Sequence, residues 1–240
     1  MSETAAMDGQ RELHNAYLQA MGITRWVSRQ AGEALADEPV CEKTAIASAG
    51  PAPDWAMLES QVAGCTRCRL HETRTQTVFG TGNRNADWLI IGEAPGADED
   101  RAGEPFVGRA GMLLNEMLLA AGYRRDDVYI ANIIKCRPPD NRNPRPDEVQ
   151  SCQGYLQRQV ELLQPRIILA VGKIAAHSLL GSTEPVGRLR GTQHYYGVKK
   201  IPLVVTYHPA YLLRSPMEKR KVWADLQFAQ RIFLSSSKVS

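Results

Sequence analysis

Two groups of residues have types and spacings suited to chemistry. Cys65 and Cys68 form a Cys-x-x-Cys pair, Cys136 and Cys152 follow far downstream, and between the pairs runs Gly92-Glu93-Ala94-Pro95-Gly96-Ala97-Asp98-Glu99-Asp100. Four thiolates hold either a structural zinc ion or an iron-sulfur cluster. All-cysteine zinc sites usually pair two Cys-x-x-Cys knuckles, whereas here fifteen residues separate Cys136 from Cys152. The spacing leaves both metals open. The fifth cysteine, Cys41, lies in a polar stretch and reads as a free thiol.

The acidic run follows a strand-like segment, so its glycines would turn the chain and aim Glu93 into a crevice; an ordinary connecting loop is the plain alternative. Asp98, Glu99 and Asp100 are candidate bases or water-positioners, although most acidic runs are simply solvated. Gly108-Arg109-Ala110-Gly111 opens a helix whose free amides suit a phosphate, or whose glycines merely serve packing. His208 stands directly after a buried strand, a better place for chemistry than those of His14, His71, His177 or His194. Leu212 and Leu213 follow it as core residues or as a wedge for a base stack. Arg137, Arg142, Arg145 and Arg214 interleave with Phe106 and Tyr211, a mixture suited to a nucleic-acid strand.

The elements that must position these residues alternate. Predicted strands at 88–91, 128–134, 167–171 and 203–206 are separated by predicted helices at 110–121, 146–163, 173–180 and 216–234. That order predicts a three-layer α/β/α sandwich around a mainly parallel, four-stranded sheet. Ligand crevices in such sheets open beyond the carboxyl ends of the strands, where the loops 92–109, 135–143 and 207–216 leave. Hydrophobic residues make up 43% of the chain and the net charge is +3, enough for a full core and compatible with a polyanionic partner. Neither a secretory segment nor a membrane span is legible, so a cytoplasmic, nucleoid-associated monomer with reduced thiols is expected.

With these motifs in view, residues from Cys65 to about Arg231 resemble the family 4, iron-sulfur uracil-DNA glycosylases. The matching segments are Gly92-Glu93-Ala94-Pro95-Gly96, Gly103-Glu104-Pro105-Phe106-Val107-Gly108-Arg109-Ala110-Gly111, Asn132-Ile133-Ile134-Lys135-Cys136-Arg137-Pro138-Pro139 and His208-Pro209-Ala210-Tyr211-Leu212-Leu213-Arg214. The resemblance implies a uracil-DNA glycosylase fold, hydrolysis of the N-glycosidic bond of deoxyuridine in single- or double-stranded DNA, and a 4Fe-4S cluster on Cys65, Cys68, Cys136 and Cys152. It further implies that Phe106 stacks on the uracil, that Asn132 reads its edge and that His208 stabilises the leaving base. Arg109, Arg137 and Arg214 would hold phosphates, with Leu212 or Leu213 as the wedge. A better-known branch of the superfamily has aspartate where Ala94 stands, and alanine cannot activate water. The resemblance therefore leaves Glu93 and Glu99 as the candidates, one to orient water or stabilise the cationic sugar and the other to shape the pocket against thymine's methyl. A covalently trapping relative carries an extra histidine between the third and fourth cysteines; Arg137 to Ser151 has none, so ordinary turnover is expected.

The rest of the chain divides into an amphipathic arm at 1–30, an Ala-, Glu- and Pro-rich linker at 31–54, the catalytic domain at 55–234 and a tail at 235–240. Within the arm, Tyr17 to Arg29 is similar to the N-terminal peptide of the bacterial clamp-loader psi subunit, which implies docking on the clamp loader through residues 10–29. The competing reading of the whole chain is a zinc-stapled nucleic-acid-binding module without catalysis. The carboxylates at Asp98 to Asp100 sit awkwardly with it, because they repel phosphate.

Overall fold

A computed structural model describes residues 55–236. The chain separates into a unit of residues 1–48 and a unit of residues 49–240, and the described residues belong to the second. The N-terminal arm, the linker and Cys41 lie outside them.

Three hydrophobic strands with both faces covered form the middle of the sheet: β2 (Trp88–Gly92), β3 (Tyr129–Asn132) and β4 (Ile167–Val171), in which every residue is buried. β2 pairs in parallel with both β3 and β4, and β4 pairs in parallel with β6 (Ile201–Thr206). Two short antiparallel strands close the edges, β1 (Thr81–Gly82) against β3 and β5 (Gln193–Tyr196) against β6. The order is therefore β1-β3-β2-β4-β6-β5 in six strands. The four parallel strands match expectation; the sheet is wider because β1 and β5 carry no run of apolar residues to announce them.

Side chains alternate across the sheet with the two-residue period of a strand. Leu89, Ile91, Ala131, Ile168, Ala170, Leu203 and Val205 face one core, which α1 (Trp55–Ala63), α4 (Pro146–Leu163), α5 (Lys173–Leu180) and α6 (Val186–Leu189) cover. Trp88, Ile90, Ile130, Ile167, Leu169 and Val204 face the other, beneath α3 (Arg109–Ala120), α7 (Pro209–Arg214) and α8 (Lys219–Ser236). This is the expected three-layer sandwich.

The remaining helix, α2 (Ala97–Ala102), and α7 occupy stretches read from sequence as loops. Burial of one apolar stripe on α7 places Leu212 wholly inside the second core, at 0% exposure, while Leu213 is 40% exposed. The wedge assignment is thereby corrected: Leu212 cannot reach a base stack, and of the two leucines only Leu213 faces outward.

Strand β2 lies between β3 and β4, so the chain passes to one side of it and then crosses to the other. The gap beyond its carboxyl end is a topological switch point, where open α/β sheets hold ligands.

Candidate active site

The loops leaving β2, β3 and β6 enclose a crevice of about 390 Å³ lined by Glu93, Ala94, Pro95, Gly96, Glu99, Phe106, Ala110, Asn132, Asn141, Arg142, His208, Ala210 and Arg214. That volume lies within the range of small-molecule sites. All six residues assigned from sequence to catalysis and base binding, Glu93, Glu99, His208, Ala94, Phe106 and Asn132, meet here.

Backbone pairing sets the floor. Past the strand ends, Ile133 N–H donates to Gly92 O at 3.0 Å and Ile134 N–H to Glu93 O at 3.3 Å, so the two loops leave as one rigid ledge. Gly92 is required on this ledge. A Cβ there would lie 2.5 Å from Asn132 Oδ1 and 2.6 Å from the Phe106 ring. Asn132 is 2% exposed, and its Oδ1 is a buried acceptor with no partner. An unpaired buried acceptor costs on the order of 1–3 kcal/mol, so this one is poised for a donor that enters the crevice.

Phe106 and His208 form the adjoining wall, with ring centroids 5.6 Å apart and an interplanar angle of 28°. His208 Nδ1 accepts the Ala210 N–H at 3.2 Å, which leaves the proton of the neutral ring on Nε2. Burial, reinforced by the charge of Arg214, pushes the imidazole down to about 4. His208 is therefore a neutral N–H donor at physiological pH. The other described histidines have structural bonds: His71 Nδ1 with Cys68 O at 2.8 Å, His177 Nε2 with Glu184 O at 2.7 Å and His194 Nε2 with Leu189 O at 2.7 Å.

The carboxylates separate into different tasks. Glu99 accepts Gly96 N–H at 3.1 Å and Gly108 N–H at 3.4 Å, bridging the start of α2 to the start of α3. Asp98 pairs with Arg101, and buried Asp100 accepts Thr75 N–H on both oxygens at 3.0 and 3.1 Å. The Glu93 side chain has no hydrogen bond or ion pair among the described residues, and burial raises its carboxyl above the ordinary range. Of these four carboxylates, only that of Glu93 has no hydrogen-bond or ion-pair partner among the described residues.

On the crevice wall, Asn141 was not singled out from sequence, and Arg142 was read there only as one of the basic residues suited to a nucleic-acid strand. Arg142 grips buried Glu148 in a fork, Nη2–Oε1 2.6 Å and Nη1–Oε2 2.8 Å, while Glu148 also accepts Arg145 N–H at 2.7 Å. This fork holds the Glu148 carboxyl below its usual value and raises Arg142 above its own. Asn141 accepts Arg137 Nε at 2.8 Å, which places Arg137 beside the crevice rather than in its lining. Arg109 is exposed at the first turn of α3. The signal for Glu148 was legible as a carboxylate in the first turn of α4; nothing local marks Arg142 as its partner.

Cys65, Cys68, Cys136 and Cys152 line one cavity with Val62, Arg74, Lys135 and Tyr155. Among the described residues no three His, Cys, Asp or Glu side chains gather as ligands of a single ion. The donor set nevertheless fits a thiolate-held group: Arg74 Nη1 donates to Cys136 Sγ at 3.0 Å and Lys135 N–H to Cys152 Sγ at 3.3 Å. Burial pushes the Cys68 and Cys136 thiols up and that of Cys152 up to about 11, so without a bound group these three would stay protonated. Lys135, also on this lining, donates its Nζ to Asn132 O at 3.0 Å and Gln159 Oε1 at 2.6 Å. One residue thus touches both the cysteine cavity and the backbone of the orphan amide.

A three-layer sandwich with an unpartnered amide, an aromatic wall and a neutral histidine at its switch point defines an enzyme that handles a planar, polar-edged ring. Residues 79–227 match the uracil DNA glycosylase superfamily. The type-4 uracil-DNA glycosylase of Archaeoglobus fulgidus is 42% identical over 174 residues, 70% of this chain and 87% of the relative. That of Thermotoga maritima is 42% identical over 178 residues, 72% and 92% of the two chains. A type-5 uracil-DNA glycosylase of Pyrobaculum aerophilum is 31% identical over 149 residues, 55% of this chain and 64% of the relative. The chain belongs to the uracil-DNA glycosylase superfamily and, within it, to the type-4 branch.

Proposed function

We propose that the protein excises uracil from DNA, cleaving the bond between uracil N1 and deoxyribose C1′ and leaving an abasic site. The observation that carries this reading is the orphan acceptor, Asn132 Oδ1, at the end of β3. Uracil in its keto form offers an N3–H donor beside the O4 acceptor, and one carboxamide satisfies both; cytosine presents the reverse pattern. Reaching the pocket requires extrusion of the nucleotide from the duplex, at a cost of about a few kcal/mol. Exposed Leu213 fills the gap, and Arg109, Arg137 and Arg214 hold the flanking phosphates.

In the pocket the Phe106 ring stacks on the base, a contact worth about 1–3 kcal/mol. As the N1–C1′ bond breaks, its electron pair leaves with uracil, and the neutral Nε2–H of His208 donates to O2 as negative charge grows there. Glu93, the uncommitted carboxylate, faces the cationic sugar and receives the proton of the water that adds at C1′. Glu99 holds the Gly96 and Gly108 backbone that shapes the pocket against the thymine methyl. Ala94 lines the same wall without polar chemistry of its own.

Cys65, Cys68, Cys136 and Cys152 would hold a 4Fe-4S cluster. Thiols spread over the walls of a cavity suit a group in which each iron takes one thiolate, whereas zinc needs four sulfurs at one point. The cluster would act as a structural staple and take no part in bond cleavage. A zinc-stapled module without catalysis has no use for the buried amide or the neutral histidine. The protein acts as a cytoplasmic, nucleoid-associated monomer, and residues 10–29 tether it to the clamp loader. Deletion of residues 1–50 should abolish clamp-loader pull-down while sparing base excision; retained binding removes the tether from the account. The excision itself is tested by release of free uracil from oligonucleotides carrying uracil, cytosine or thymine at one position. Release confined to uracil is expected; equal release from cytosine sinks the Asn132 assignment.

A further inference from the structure

We propose that Arg125 is a positioning residue for base recognition, acting through Phe106. The inference rests on the reading of Phe106 as the ring that stacks on the base. Phe106 has φ +55°, a left-handed conformation that is costly for a bulky side chain and persists only where the surroundings impose it. Its imposed geometry has two visible causes.

The first is Arg125, in the turn before β3. Its Nη2 donates to Pro105 O at 2.5 Å and its Nη1 to Phe106 O at 3.3 Å, so one planar fork grips two successive carbonyls. The same Nη1 donates to Asn115 Oδ1 on α3 at 3.1 Å, which fixes the fork to the helix beneath. Arginine alone provides this geometry, since lysine offers a single point of donation. The second cause is Gly111, where a Cβ would stand 1.8 Å from Phe106 O. The helix has been hollowed to let the carbonyl approach, and Arg125 draws it in. Arg125 itself is half-buried and its pKa is lowered by that burial, so its place is not that of a solvated surface cation.

Residues 105 and 106 therefore sit between a hollow in α3 and a guanidinium, and the ring projects into the crevice opposite His208. Without the fork, the strained backbone relaxes and the ring leaves the plane in which it meets the base. Arg125 touches no substrate in this account; every consequence passes through the ring.

A double-mutant cycle tests this. Single-turnover uracil excision would be measured for wild type, Arg125→Met, Phe106→Ala and the pair, with the thermal midpoint of each. Phe106→Ala should lose about tenfold to a hundredfold in rate at subsaturating DNA, in line with the loss of one base stack. Arg125→Met should lose a comparable factor, and the double variant no more than Phe106→Ala alone. Asn115→Ala, which keeps the guanidinium and removes only its anchor, should show a smaller loss with the same absence of additivity, and covers the case in which Arg125→Met fails to fold. Additive losses, or full activity in both Arg125→Met and Asn115→Ala, would overturn the proposal. Failure of the underlying reading looks different: wild type would then excise no uracil, or Phe106→Ala would be fully active.

Discussion

Glu93 and Glu99 were indistinguishable as letters, and their surroundings now assign them different work. Glu99 spends both oxygens on backbone amides, whereas Glu93 lies half-buried and uncommitted. Glu93→Gln should therefore lose at least about a hundredfold in the chemical step, on the scale of a removed acid-base group, while DNA binding stays intact. Wild-type rate should fall on the acid side at a pH above the ordinary carboxylate range, and Glu93→Gln should lack that inflection. His208 adds none near neutrality, because it stays neutral down to about 4. The sign for stability follows from the same shift. The unfolded chain takes up the proton first as pH drops from about 6.5, so stability declines from there down to about 4 and not above. Urea titrations of wild type and His208→Asn across that window would reveal the slope in the first and its loss in the second.

The two leucines give a contrast of the same kind. Leu212→Ala should cost about 2–5 kcal/mol of stability through a core cavity. Leu213→Ala should leave the melting temperature unchanged and slow excision from duplex DNA more than from single strands. His208 was legible because a polar residue directly after a buried apolar run points to a strand end. The leucine pair was not, since which of two neighbours is buried depends on where α3 packs against α7.

Among the elements, α4 does the most to join the parts. Glu148 and Cys152 stand four residues apart on one face of it, the first gripping Arg142 of the crevice wall and the second lining the cysteine cavity. The loop from Lys135 to Asn143 is thus fixed at both ends by one helix. Glu148→Ala should lower the melting temperature and weaken uracil binding together. The folded pKa of Glu148 is depressed, so its contribution is present above the unfolded carboxyl value and disappears as pH falls through the lower folded one. Gly92→Ala is the complementary test: its methyl would collide with Asn132 and Phe106, and it should remove activity while the visible absorbance expected of the proposed cluster persists. The bounds of α4 were plain in the sequence, from Pro146 at its first turn to the last apolar residue of its stripe, Leu163. The short elements were not: α2 and α7 have six residues each, too few for a repeating pattern, and are stabilised by caps and packing rather than propensity.

At the scale of the whole molecule, four cysteines from three separate segments meet beside the sheet, and Lys135 links their cavity to the backbone of Asn132, the residue proposed to read the base. The cysteines were legible as a metal-type set, while their relation to the crevice was not, because it runs through the buried contacts of Lys135 and Gln159. If the four cysteines hold the proposed iron-sulfur cluster, Cys136→Ser should remove its visible absorbance and lower the melting temperature, with the far-ultraviolet signal of the helices largely kept. All of this serves one claim, that the crevice excises uracil. The most direct measurement incubates the purified protein with oligonucleotides carrying a single uracil, or cytosine or thymine at the same position, and scores alkali-labile abasic sites. The account predicts sites at uracil alone, accumulating beyond one per enzyme molecule. A folded preparation with the visible absorbance of an iron-sulfur cluster that leaves uracil in place would contradict it.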